Sequence, residues 1–143
     1  MPTSFFFITN EVQGRMSKPP AEQNLTTTGL QGIYYVTSGL WPILHMRSFE
    51  AVTGPKRDKW LVKTVGALIT AIGSTLLFSA AREPESETAR NLGISTALAL
   101  IAIDSIYSIR GTIPKIYLMD AAVEAALMAG LLSRPPSYAD CRK

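Results

Sequence analysis

The sequence predicts an all-α fold: a four-transmembrane-helix bundle in antiparallel up-down order with short loops. Three observations carry that expectation. The chain is 47% hydrophobic and only 17% charged, where soluble domains carry about a quarter charged. The charges are bunched, leaving uncharged stretches at 23–44, 64–81 and 91–103, and an apolar stretch at 116–132 interrupted only by Asp120 and Glu124. About 20 mostly apolar residues cross a hydrocarbon core of roughly 30 Å. Charged segments with Gly or Pro separate the stretches, as turns require. A soluble four-helix bundle is the competing fold, but its helices carry a polar face along their length, and TVGALITAIGSTLLFSAA at 64–81 has no charged face.

The elements follow in order. Residues 1–22 read as a flexible extension, because Phe5-Phe6-Phe7-Ile8 is too short for a signal-peptide core and no basic residue precedes it. Met16 opens MSKPPAEQ, an equally good start, so residues 1–15 are expected to be dispensable. A membrane domain is expected over 23–134, with helices at about 26–46, 60–81, 90–109 and 114–132. Pro42 should kink or end the first helix near Trp41. The links are GPKRDK, AREPESETAR and RGTIPK; the last is short enough to make helices three and four antiparallel neighbours. Pro135-Pro136 marks 135–143 as a non-helical tail.

Four spans place both termini on one side. The face with the first and third links carries Arg47, Lys56, Arg57, Lys59, Lys63, Arg110 and Lys115. The other carries Arg15, Lys18, Arg82, Arg90, Arg134, Arg142 and Lys143. The positive-inside count is tied, and the shorter loops of the first face favour that face as cytosolic. Lys56, Arg57 and Lys59 form a basic loop, read first as a solvated topology signal and second as a contact for a lipid headgroup or ligand.

Composition excludes several functions. A net charge of +3 without a concentrated basic face does not point to nucleic acid. One cysteine, Cys141, excludes an internal disulfide and a CxxC redox pair, and one histidine excludes bis-histidine haem and HExxH chemistry. No cofactor or metal site is implied, and His45 reads as an interfacial residue. The expected partner is the lipid bilayer. Small-residue stripes at Gly66, Thr70 and Gly73, at Gly93 and Ala97, and at Ala122, Ala126 and Gly130 are expected to form helix seams. Their alternative use is contact with a second copy or another membrane protein. Trp41, Trp60, Tyr107 and Tyr117 sit where an aromatic belt would lie.

The candidate site is a set of acids at membrane depth. Asp104 lies six residues before Arg110, roughly 9 Å from that helix end, and Glu124 roughly 13 Å from Lys115. Asp120 and Glu124, four apart, share a helix face. Acids are costly there, about 2.5–3.5 kcal/mol for Asp at a helix centre. They are expected to turn inward and pair with Lys63 and Arg47, with His45 nearby and Tyr107, Ser108 and Thr64 as donors. Either the network only orients helices, or it is a proton, cation or polar-ligand site. No catalytic residue is assigned.

The segment GLWPILHMRSFEAVTGPKRDKWLVKTV, Gly39–Val65, and above all MRSFEAVTGPK at Met46–Lys56, resembles a segment of small bacterial four-span membrane proteins of uncharacterised function. The likeness covers roughly Leu25–Arg134 and implies a multi-pass inner-membrane protein with no activity to transfer. The layout is also similar to DoxX-like proteins, in span number alone. A structural or accessory membrane component is the leading expectation. A proton-coupled small-solute transporter is second, although its first span lacks the glutamate of small multidrug-resistance proteins. A membrane-embedded acid–base enzyme is third.

Overall fold

The computed structural model describes residues 26–84 and 86–133. Over these residues the chain is all-helical, with five helices and no strand. They are α1 (Thr27–Leu44), α2 (Met46–Thr53), α3 (Lys59–Arg82), α4 (Glu87–Ile109) and α5 (Tyr117–Leu132). The extension at 1–22, the tail at 135–143 and Cys141 lie outside the described residues.

Local chemistry sets the boundaries. Thr26 caps α1, its hydroxyl accepting from the Gly29 N–H at 3.1 Å. The single helix expected at about 26–46 stops at Leu44. Pro42 has no N–H for the Ser38 carbonyl, and His45 leaves helical geometry at φ −142° and ψ 71°. The His45 Nδ1 then accepts from the Ser48 N–H at 3.2 Å and opens α2. Gly54, at φ +80°, ends α2, and Gly111, at φ +71°, follows α4; both sit where a side chain would be strained. Beyond α4, the Gly111 N–H donates to the Ser108 carbonyl at 3.1 Å and the Thr112 N–H to Tyr107 at 2.9 Å. These bonds satisfy carbonyls that the helix end would leave open.

α1 packs closely against α3, and glycine makes the approach possible. A Cβ added to Gly39 would lie 2.5 Å from the Gly66 carbonyl oxygen, and one on Gly66 would lie 2.5 Å from the Gly39 carbonyl oxygen. A Cβ on Gly73 would meet Tyr35 Cβ at 2.7 Å, and one on Gly32 would meet Leu77 Cγ at 2.8 Å. The pairs 39–66 and 32–73 run in opposite order, so the two helices are antiparallel. α4 and α5 form the second close pair, and α1 touches both. Leu131 reaches Gly93, while Thr27 fills the space beside Gly130. Tyr35, Leu76 and Ala89 form the buried apolar centre, flanked by Tyr34, Ile69, Ile72, Leu92 and Leu100.

The stripes on α3 and α4 lie in these contacts: Gly66 and Gly73 are buried against α1, and Gly93 and Ala97 are buried. The stripe on α5 is split: Gly130 packs against Thr27, but Ala122 and Ala126 do not join it. Ala122 and Ala126 are exposed, and the buried residues are Ala121, Glu124 and Leu131. Residues two apart on a helix point about 200° apart, so once Glu124 turns inward Ala122 and Ala126 turn out.

Gly66→Val should therefore destabilise the protein by about 1–3 kcal/mol, the usual range for overpacking, whereas Ala122→Val should shift stability by less than about 0.5 kcal/mol. Thermal unfolding in mild detergent measures both; equal effects would contradict the α1–α3 contact.

Candidate functional site

The inward faces of α1, α4 and α5 carry polar groups. On α1, Gln31 and Tyr35 are one turn apart and both 0% exposed. On α5, Glu124 is also 0% exposed, and on α4 Asp104 is 6% exposed. Asp120 is half-buried one turn before Glu124.

The donors come from α1. The Tyr35 hydroxyl donates to Glu124 Oε2 at 2.8 Å and accepts from Gln31 Nε2 at 3.0 Å. Gln31 Nε2 also donates to the Gly93 carbonyl at 2.9 Å. The Gln31 amide occupies the space where a side chain on residue 93 would stand, so Gly93 is what admits it. Tyr34 donates to Asp120 Oδ1, and its ring lies 6.2 Å from that of Tyr35. Asp104 approaches Asp120 and Glu124 across the α4–α5 contact. Three buried acceptors, Gln31 Oε1, Asp104 Oδ2 and Glu124 Oε1, have no hydrogen-bond partner.

The cluster brings together Asp104, Asp120 and Glu124 but not the cations expected to neutralise them. Lys63, Arg47 and His45 are exposed. Among the described residues the ion pair is Lys59–Glu50 at 2.9 Å, in the α1–α3 link. The reason is helical phase and length. Lys63 stands one turn into α3, whose inward face is Gly66 and Gly73, and Arg47 has been carried onto α2 by the break at His45. The expected donors are spent elsewhere: Thr64 on its own Trp60 carbonyl at 3.0 Å, Ser108 on the Pro114 carbonyl at 3.2 Å. Tyr107 is 44% exposed. The residues that sequence reasoning missed are Gln31, Tyr34 and Tyr35. Their signal was the spacing of 31, 34 and 35, which puts three hydrogen-bonding side chains on one helix face.

The basic loop is partly built into the link. Glu50 accepts from Lys59 Nζ at 2.9 Å and from the Lys56 N–H at 3.1 Å. Lys56 Nζ donates to the Thr53 carbonyl at 3.0 Å and lies 4.9 Å from the centre of the Tyr117 ring. Arg57 is exposed. Arg47, three residues from Glu50, is exposed and forms no ion pair with it. That Lys59 hydrogen bond, followed by the Lys56 N–H, holds the Glu50 carboxyl below its ordinary range. Among the described residues, no cluster of His, Cys, Asp and Glu has metal-binding geometry.

No protein-family model, curated protein or solved structure matches the chain.

Two outcomes follow from this geometry. Tyr35→Phe removes the donor to Glu124 and the acceptor for Gln31, and should cost about 1–2 kcal/mol, the range for interhelical hydrogen bonds in model membrane peptides. Tyr107→Phe, at an exposed ring, is the control and should leave the unfolding midpoint in place. For the link, the lowered Glu50 value means that its stabilisation is present above the ordinary glutamate value of about 4.3. It is lost as pH falls through the lowered value. Hydrogen exchange at the Lys56 amide, corrected for intrinsic rate, should accelerate across that window, and Glu50→Gln should remove the pH dependence.

Proposed function

We propose that the chain is a small multi-pass integral membrane protein in which α1, α3, α4 and α5 cross the bilayer up and down. Both ends of the chain lie on one side in this reading. We further propose, on the resemblance read from the sequence at Met46–Lys56, that the compartment is a bacterial inner membrane.

The observation that carries the reading is where the large apolar side chains lie. Among the described residues six hydrophobic ones are buried, three of them alanines, while twenty large ones are exposed, including Leu68 at 60%, Phe78 at 60% and Leu98 at 57%. Gln31 and Glu124, by contrast, have no exposure. A protein in water has the reverse need, since large exposed apolar patches are unfavourable there. α3 and α4 are long and apolar enough to cross a membrane, and only 17% and 22% of their most apolar stretches are buried. The central helix of a soluble protein would be mostly covered. In lipid an outward Leu is in its preferred solvent, and inward polar groups find partners on other helices.

Within that frame the first role of the cluster is structural. It ties α1 to α4 and α5, as suits an accessory or scaffold component of the membrane. Proton-coupled transport of a small solute is the second reading, and a specific observation favours it. Among the described residues three inward carboxyls lie without an ion-pair partner, and two of them, through Asp104 Oδ2 and Glu124 Oε1, also keep a buried acceptor atom without a hydrogen bond. The acid–base enzyme reading draws no such support, because His45 is exposed and caps α2.

Alkaline carbonate extraction and flotation should leave the chain with vesicles; release into the wash would overturn the membrane reading. Asp104→Asn, Asp120→Asn and Glu124→Gln then separate the two roles. If each lowers stability by about 1–3 kcal/mol, the structural role accounts for the acids. If one leaves the protein as stable as before, that acid is retained against its own cost, and proton flux in reconstituted vesicles should fall in that variant.

A further inference from the structure

We infer that the end of the molecule formed by the α1–α3 link and the α4–α5 turn is a docking surface for anionic phospholipid headgroups; this rests on the membrane reading. The two connections meet. A Cβ on Gly54 would lie 3.3 Å from Pro114 Cγ, and Lys56 Nζ sits 4.9 Å from the Tyr117 ring centre. Their charges are therefore pooled, seven basic side chains against the acids Glu50, Asp58 and Asp120, the last turned inward to Tyr34. Glu50 is already engaged by Lys59 and by the Lys56 N–H. Arg47, Arg57, Lys63, Arg110 and Lys115 are all exposed, and none of them forms an ion pair among the described residues.

What surrounds this charge selects the partner. The same end carries exposed Trp60 at 69%, Leu44 at 76%, Ile109 at 79% and Met119 at 66%. A polynucleotide would neutralise the cations and leave that collar in water. An anionic leaflet satisfies both, with phosphates at the guanidinium and ammonium groups and acyl chains against the collar. Trp41 supports the placement: its indole N–H donates to Ser48 Oγ at 2.7 Å and its ring meets Phe49 edge-on at 5.7 Å, which holds α2 beside the end of α1. α2 is thereby set to lie along the headgroup layer.

The test uses the full chain in nanodiscs of phosphatidylcholine alone or of phosphatidylcholine with phosphatidylglycerol. Retained lipids are counted by native mass spectrometry, and thermal unfolding is measured in parallel. Wild type should retain phosphatidylglycerol preferentially and unfold at higher temperature in the mixed discs. The preference should shrink at high salt and fall about fivefold for each side chain neutralised in the series Arg57→Gln, Arg110→Gln, Lys115→Gln. The variants leave the Glu50–Lys59 contact in place, so their unfolding in pure phosphatidylcholine should match wild type. Equal retention of both lipids by wild type would overturn the inference and leave the membrane reading standing. A variant series that keeps the full preference would also overturn it. A chain that fails to enter either disc would sink both.

Discussion

The Tyr35 side chain is the point on which the described structure depends. Its Cβ stands where a side chain on Gly73 would be, so it fixes how closely α3 can approach α1. Its hydroxyl donates to Glu124 on α5 and accepts from Gln31, whose amide also reaches the Gly93 carbonyl on α4. One residue and its neighbour one turn earlier thus join all four long helices. The apolar centre around them is small, which leaves the polar contacts with an unusual share of the specificity.

That arrangement divides the work between two kinds of contact. Between α1 and α3 the helices are held by proximity: paired glycines let backbones touch, and dispersion over the close surface supplies the attraction. Between α1 and the α4–α5 pair the contact is chemical, with two phenols donating to the carboxyls of Asp120 and Glu124 and the Gln31 amide to the Gly93 carbonyl. Both kinds fix register: sliding would bring a side chain into the glycine contact, and a shift of one residue rotates a helical side chain by about 100°. In the membrane reading, the outward faces need only be apolar, and the register is set entirely from inside.

Much of this was legible in the chain. The uncharged stretches mark the long helices, and the inward acids are evident from their spacing and from the cost of placing them anywhere else. The partners of those acids were harder to see. A search for opposite charge leads to Lys63 and Arg47, yet both emerge at helix ends and point to solvent. Neutral donors on α1 do the pairing, and they lie in a stretch whose lack of charge makes it read as apolar. The α5 stripe shows a second limit. A helix that is apolar all round offers no phase by hydropathy, so Ala122, Ala126 and Gly130 look like a seam until Glu124 is allowed to set the rotation. Ala122 and Ala126 could not face inward together with Glu124, and the acid had the larger cost, so of the stripe Gly130 keeps its contact, with Thr27.

The halves of the polar cluster are far apart along the chain. Gln31, Tyr34 and Tyr35 come from the first hairpin, whereas Asp104, Asp120 and Glu124 come from the second, up to 89 residues later. During synthesis the α1–α3 hairpin can close on its glycines alone, but its phenols wait for partners until α5 has been made. Each hairpin is therefore an incomplete object with a matching need, donors on one and acceptors on the other.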